Sequence, residues 1–211
     1  MKLKARQAKQ AHRNLALFIL IFVAVHFTTH FVSLGGVETH TQALGIARLF
    51  YQFPLIEIAL VLALAAQVLL GFKLLGSIRK RKTKGLWHWA QFLSAAYLAY
   101  FIVMHTAAAL ITRLIVGLDT NFFWAAGTLG LEPIKFGFTP YYILAVTAVF
   151  SHIIAALHFR GPRSWQAPAL AIGPLVGVAF VLGYGGHLED VALPLEYLEY
   201  YGNFPGVSKP G

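Results

Sequence analysis

Five separate stretches of this chain are apolar over about the 20 residues an α-helix needs to cross a hydrocarbon core. They are Asn14–Leu34, Pro54–Leu75, Trp87–Val116, Thr139–Phe159 and Pro168–Gly186. No other feature constrains the fold so strongly, because inside lipid each backbone N–H and C=O must be paired within its own segment, which a helix does. Of the 211 residues, 58% are hydrophobic and 12% charged, and the mean hydropathy is +0.66. A soluble domain carries about 25% charged residues. The net charge of +9 and pI of about 9.9 therefore do not indicate a soluble nucleic-acid binder, since so much apolar surface has no interior to hide in. The expected architecture is an all-α integral membrane protein, a bundle of five transmembrane helices over residues 1–187 followed by an outer tail, 188–211. The first stretch is too long for a cleavable signal segment and has no small-x-small cleavage site after it. Pro168, Gly173, Pro174, Gly177 and Gly183 interrupt the fifth stretch, which transmembrane helices tolerate.

Lysine and arginine fix the expected orientation. Lys2, Lys4, Arg6, Lys9 and Arg13 precede the first span. Lys73, Arg79, Lys80, Arg81, Lys82 and Lys84 follow the second, and Arg160 and Arg163 follow the fourth. These lie on one side of a five-span path, against Arg48, Arg113, Lys135 and Lys209 on the other. The N-terminus is expected inside and the C-terminus outside, in the inner (cytoplasmic) membrane. Trp87, Trp89 and Trp165 then mark the inner boundary, and Trp124, Tyr197, Tyr200 and Tyr201 the outer one. The positive charge is accounted for by topology and anionic lipid, with no nucleic acid among the expected partners.

With Cys 0, disulfides, c-type haem attachment, Cys-ligated zinc and protein-bound iron–sulfur clusters are excluded. Nine histidines remain. An ionisable side chain within a span is costly and marks a candidate site. His26 is near the middle of the first span, and His30, four residues on, shares its face. His105 lies in the third span and His152 in the fourth, while Gln67 is mid-span in the second and Glu57 opens that span. Gln91, Ser94, Leu98, Phe101 and His105 form one stripe of the third helix. Gln91 and Ser94 in that stripe also suit simple helix–helix hydrogen bonding. His12, His40, His88, His158 and His187 fall at interfaces, loops or helix ends and carry no expected role. Imidazoles from separate helices at matched depth suit haem b, which takes two axial nitrogens in an apolar pocket. A non-haem metal would need His26, His30, His105 and His152 in one cluster.

These residues resemble the cytochrome b subunits of dihaem succinate dehydrogenases and fumarate reductases. The likeness rests on His26 in the run Phe22-Val23-Ala24-Val25-His26 and on Glu57-Ile58 opening the second helix. It continues in Gln67-Val68-Leu69-Leu70-Gly71 where the family has His-x-x-x-Gly. The order Trp87 or Trp89, Gln91, Ser94, Ala95, His105 in the third helix and His152 in the fourth completes it. It spans residues 14–187. The resemblance implies an outer haem held by His26 and His105, and an inner site at Gln67 and His152. An amide is a poor iron ligand, so one haem is expected. The inner haem would be five-coordinate, re-ligated by another residue, or absent. Glu57 would accept protons at an outer quinone site, against the alternative of an interfacial acid bonded to Arg48 or water. His30 would bond a propionate, a quinone oxygen or a neighbouring helix. The implied partners are lipid, quinone and cytoplasmic redox subunits docking on the basic face, including the loop Arg79–Lys84. Two other functions stay open: an intramembrane metal enzyme using the four histidines, and a transporter or structural protein with buried histidines.

Overall fold

A computed structural model describes residues 2–80 and 85–208, with the side chains described from residue 6 onward. Residues 81–84 of the basic loop lie outside the described residues. Nine α-helices are described, α1 (Lys2–Val32), α2 (Gly36–Tyr51), α3 (Pro54–Arg79), α4 (Leu86–Ile111), α5 (Phe122–Gly130), α6 (Lys135–His158), α7 (Gln166–Ala169), α8 (Ile172–Tyr184) and α9 (Leu195–Tyr201). Five segments are long and apolar enough to cross a membrane: α1 running on into α2, α3, α4 with the π turn Thr112–Val116, α6, and α7 with α8. They coincide with the five apolar stretches, because length and hydropathy are local properties.

The long helices close into a ring. Each packs on its chain neighbour, α1 on α3, α3 on α4, α4 on α6 and α6 on α8, and α8 returns to α1. Leu17, Ile21, Leu55, Ile58, Leu62, Leu69, Phe72 and Leu93 point out of it, as lipid-facing side chains do. The tightest seam is α6 with α8. A Cβ added at Gly173 would stand 2.7 Å from the Thr147 Cα, and one at Gly177 would stand 2.9 Å from the Ile143 Cα. These glycines are spaced i, i+4 and let two backbones touch, the small-residue packing that replaces the hydrophobic effect within lipid. What looks in sequence like a broken fifth span is thus the smooth side of a helix contact.

At one end the ring is capped by helices the hydropathy pattern does not show. The stretch between the first two spans is helical. After the turn at Gly36 (φ 87°), α2 starts with the Val37 amide donating to Glu189 Oε1 at 2.9 Å, a carboxylate on orphan helix N–H groups. Its buried face is His40, Leu44 and Ala47. The short α5 starts at Asn121, whose side chain accepts from the Phe123 amide at 2.9 Å, and it is buried from Phe122 to Leu129 on most positions. The tail beyond residue 187 folds back as α9 over α5. Tyr197 donates to the Asp119 carbonyl at 2.9 Å, and Tyr201 donates to the Trp124 carbonyl while its ring covers Gly127. Glu57, Asp119, Glu189 and Glu196 all belong to this acidic end. The opposite, basic end carries the first turns of α1 and the start of α4.

Candidate functional site

The ring places its imidazoles where the helices are least in contact. Packing is strong around the circumference, whereas α1 does not pack closely on α4 or α6. Side chains bridge that gap. The His26 ring on α1 faces the His105 ring on α4 with centroids 6.1 Å apart. Nearer the basic end, the His12 ring on α1 faces the His152 ring on α6 with centroids 6.5 Å apart. All four rings are half-buried, not sealed in packing.

At the first level the rings are held by aromatic neighbours. Phe22 stacks on His26 at 5.2 Å and Phe101 on His105 at 4.9 Å, each one turn away on the same helix. Trp124 of α5 and Tyr142 of α6 each lie 6.2 Å from His105. His30 stands beside His26 with the two Nε2 atoms 3.1 Å apart, and its Nδ1 is 2.7 Å from the Tyr184 hydroxyl of α8. Since each neutral imidazole has one N–H and one lone pair, the chain His26–His30–Tyr184 has every link satisfied in either proton direction. His30 thus bonds a neighbouring helix.

At the second level His152 Nδ1 lies 3.3 Å from Ser94 Oγ, and that hydroxyl also reaches the Gln91 carbonyl at 3.3 Å. The stripe on α4 is therefore used at both of its ends, Phe101 and His105 at one level, Gln91 and Ser94 at the other. The Gln67 amide nitrogen donates to His12 Nε2 at 3.1 Å, leaving Gln67 Oε1 buried without a partner.

Several expectations are revised by this geometry. His12 is not an idle interfacial residue but a member of the second set. Its signal in sequence is its spacing from His26: 14 residues are close to four helical turns, which returns the side chain to nearly the same face about 21 Å along α1. A cluster of His26, His30, His105 and His152 does not form, since His152 sits with His12 and Ser94 at the other level. Among the described residues, no three His, Asp or Glu side chains converge on a common metal position. His40 is buried on α2 against Phe122 and Tyr184, with no partner for its Nδ1, and is no loop residue. His88 is buried beside Trp89 and Phe92, and His158 stacks on Trp87 and bonds Gln166. Glu57 does not pair with Arg48: its carboxylate takes an ion pair from Arg113, while Arg48 binds Asp119 at 2.7 Å. The sequence offered both arginines at one end, and only the helix ring decides which acid each meets.

Compared with known proteins, the chain matches no family model, no curated protein and no solved structure.

Proposed function

We propose that this chain is a membrane b-type cytochrome that exchanges electrons with a quinone. We place its N-terminus inside and its C-terminus outside, in the inner membrane, where it anchors redox subunits on its basic face. One observation carries this reading: the His26 and His105 rings oppose each other across the ring interior at 6.1 Å. His26 and His105 would hold the haem iron between them, one imidazole from each helix. α1 and α4 do not pack closely, and aromatic rings lie beside the two imidazoles between them. Two imidazoles from facing helices among aromatic rings are the kind of donor set a haem takes, and a haem held there would supply a one-electron carrier.

The protein's own residues have the remaining tasks. Phe22 and Phe101 fix the planes of the ligand rings. His30, anchored by Tyr184 through Nδ1, would leave the His26 nitrogen free to hold a haem iron. Glu57, on α3 at the acidic end, holds the proton that a quinol loses on oxidation; its ion pair with Arg113 loosens as the carboxylate is protonated. Quinol and quinone meet lipid at the exposed apolar flank of the same end.

The test is a reduced-minus-oxidised visible spectrum of the purified protein. A sharp α-band and Soret shift are expected, and His26→Ala and His105→Ala should each abolish them while the protein still purifies as a folded helical bundle. Absence of any chromophore would overturn the reading. It would favour instead the hydrogen-bonded chain His26–His30–Tyr184 as a polar path in a transporter.

A further inference from the structure

The basic end of the bundle carries a cavity that the electron-transfer reading does not use. It opens between the last turn of α3 and the first turns of α4, has a volume of about 230 Å³, and is lined by Arg79, His88, Trp89 and Phe92. We propose that this cavity binds the phosphodiester headgroup of an anionic phospholipid, with Arg79 and His88 as its polar contacts. The inference needs only that α3 and α4 span the membrane, and it is independent of the haem reading.

The lining residues point to an anion. No Asp or Glu occurs between Glu57 and Asp119, so neither α3 beyond its first turn nor α4 has a carboxylate of its own to offer Arg79. Among the described residues the ion pairs are Arg48–Asp119, Arg113–Glu57 and Lys135–Glu132, and Arg79 is exposed and has none. The start of α4 adds to the positive field. Its cap, Gly85, supplies no side-chain acceptor and its first turn has no acid, so the leading N–H groups of a 26-residue helix lack a side-chain partner. His88, in the same turn, is the independent sign of a missing partner. It is 4% exposed, packs against Trp89 and Phe92, and has a buried Nδ1 with no hydrogen-bond partner. Buried polar groups without a partner are rare, and an imidazole N–H turned to the cavity would donate to a phosphate oxygen.

The surroundings select a lipid over a free anion. Trp89 is exposed beside the cavity, an amphipathic ring of the kind that sits at headgroup level. Phe72 lies two turns before Arg79 on the same face of α3, Leu93 lies one turn after Trp89 on α4, and both are exposed. They extend the cavity toward the bilayer centre as an apolar track for an acyl chain. Basic pockets at the ends of transmembrane helices suit anionic headgroups. A zwitterionic headgroup is disfavoured, because the acid-free helices give its cation no counter-charge.

The test uses the purified full-length chain in detergent, freed of co-purifying lipid. Phosphatidylglycerol, phosphatidylcholine with the same acyl chains, and inorganic phosphate are titrated separately, with native mass spectrometry counting bound lipid and Tm reporting stabilisation. Phosphatidylglycerol should fill a single tight site and raise the Tm. Phosphatidylcholine should bind more weakly, and inorganic phosphate at the same concentration should leave the Tm unchanged. Arg79→Gln should weaken phosphatidylglycerol binding at least about tenfold, as the loss of a charge-assisted contact does. His88→Phe, which keeps an aromatic ring against Trp89 and Phe92, should weaken it as well. Arg160→Gln removes the same charge from an exposed position outside the cavity and should leave the Kd unchanged. If His88→Phe does not fold, the exposed Arg79 decides alone. Equal binding of the two lipids, or equal losses in Arg79→Gln and Arg160→Gln, overturns the site. Inorganic phosphate stabilising as well as phosphatidylglycerol overturns the lipid in favour of a small anion.

Discussion

The α6–α8 seam and the interior between α1, α4 and α6 are built on opposite principles. Along the seam, Gly173 and Gly177 bring backbone onto backbone with no room for a methyl group. In the interior, helices stand apart and imidazoles reach toward each other with their rings still accessible. Lipid offers no hydrophobic reward for pressing helices together, so direct packing has to come from small residues. Where larger polar side chains point inward instead, they set the helices further apart. The seam is closed backbone against backbone, whereas the interior is closed by side chains that bond one another, His26 to His30 and His12 to Gln67.

The strongest attack on that contrast is Gly177→Leu. Even its Cβ would sit 2.9 Å from a backbone carbon, so the helices must separate, and overpacking of this kind costs about 3 kcal/mol or more. The variant should barely accumulate in membranes, and what does should show a sharply lowered Tm in detergent. If it instead purifies at a normal yield and Tm, the seam is softer than the geometry states, and the two regions do not differ in kind.

A smaller effect separates the acidic-end cap from the site beneath it. Glu57 touches both, through Arg113 in the π turn after α4 and through its place at the proposed quinone site. Glu57→Gln should slow quinol oxidation at least about tenfold while leaving the haem spectrum unchanged, because a proton acceptor is lost and the ligands are not. A normal rate with a lowered Tm would assign Glu57 to the cap alone.

The smallest expected effect is a pH dependence of the cap. Burial pushes the Tyr197 phenol up to about 12, with Asp119 adding to the rise. An unfolded tyrosine ionises at about 10. The folded state therefore keeps its proton longer, and the contribution of Tyr197 is complete below about pH 10 and is lost as pH rises from there through about 12. Thermal unfolding followed across that window should show an alkaline loss of stability that Tyr197→Phe flattens. An identical alkaline loss in the variant would place the titrating group elsewhere.

How much of this was legible beforehand depended on how local each property is. The spans were plain, because a helix in lipid is specified by its own length and polarity. His26, His105 and His152 stood out because charge-capable rings in apolar runs are costly wherever they end up. The helical cap was not legible: α2, α5 and α9 are short and fall where turns and tails were expected, and they are ordered by partners distant in sequence, such as Glu189 at the start of α2 and Tyr201 over Gly127. His12 was passed over because it precedes the apolar run. Only the approach of α6 from across the ring, more than a hundred residues on, gives it a partner.

The sequence alone determined that this chain carries five helices long and apolar enough to cross a membrane and that it has histidine but no cysteine to offer a metal, since hydropathy and composition do not depend on what packs where. The tertiary structure decided how the histidines are paired, which arginine holds Glu57, and why the glycines of α8 are indispensable. Those outcomes depend on distances between helices, and no single helix carries that information.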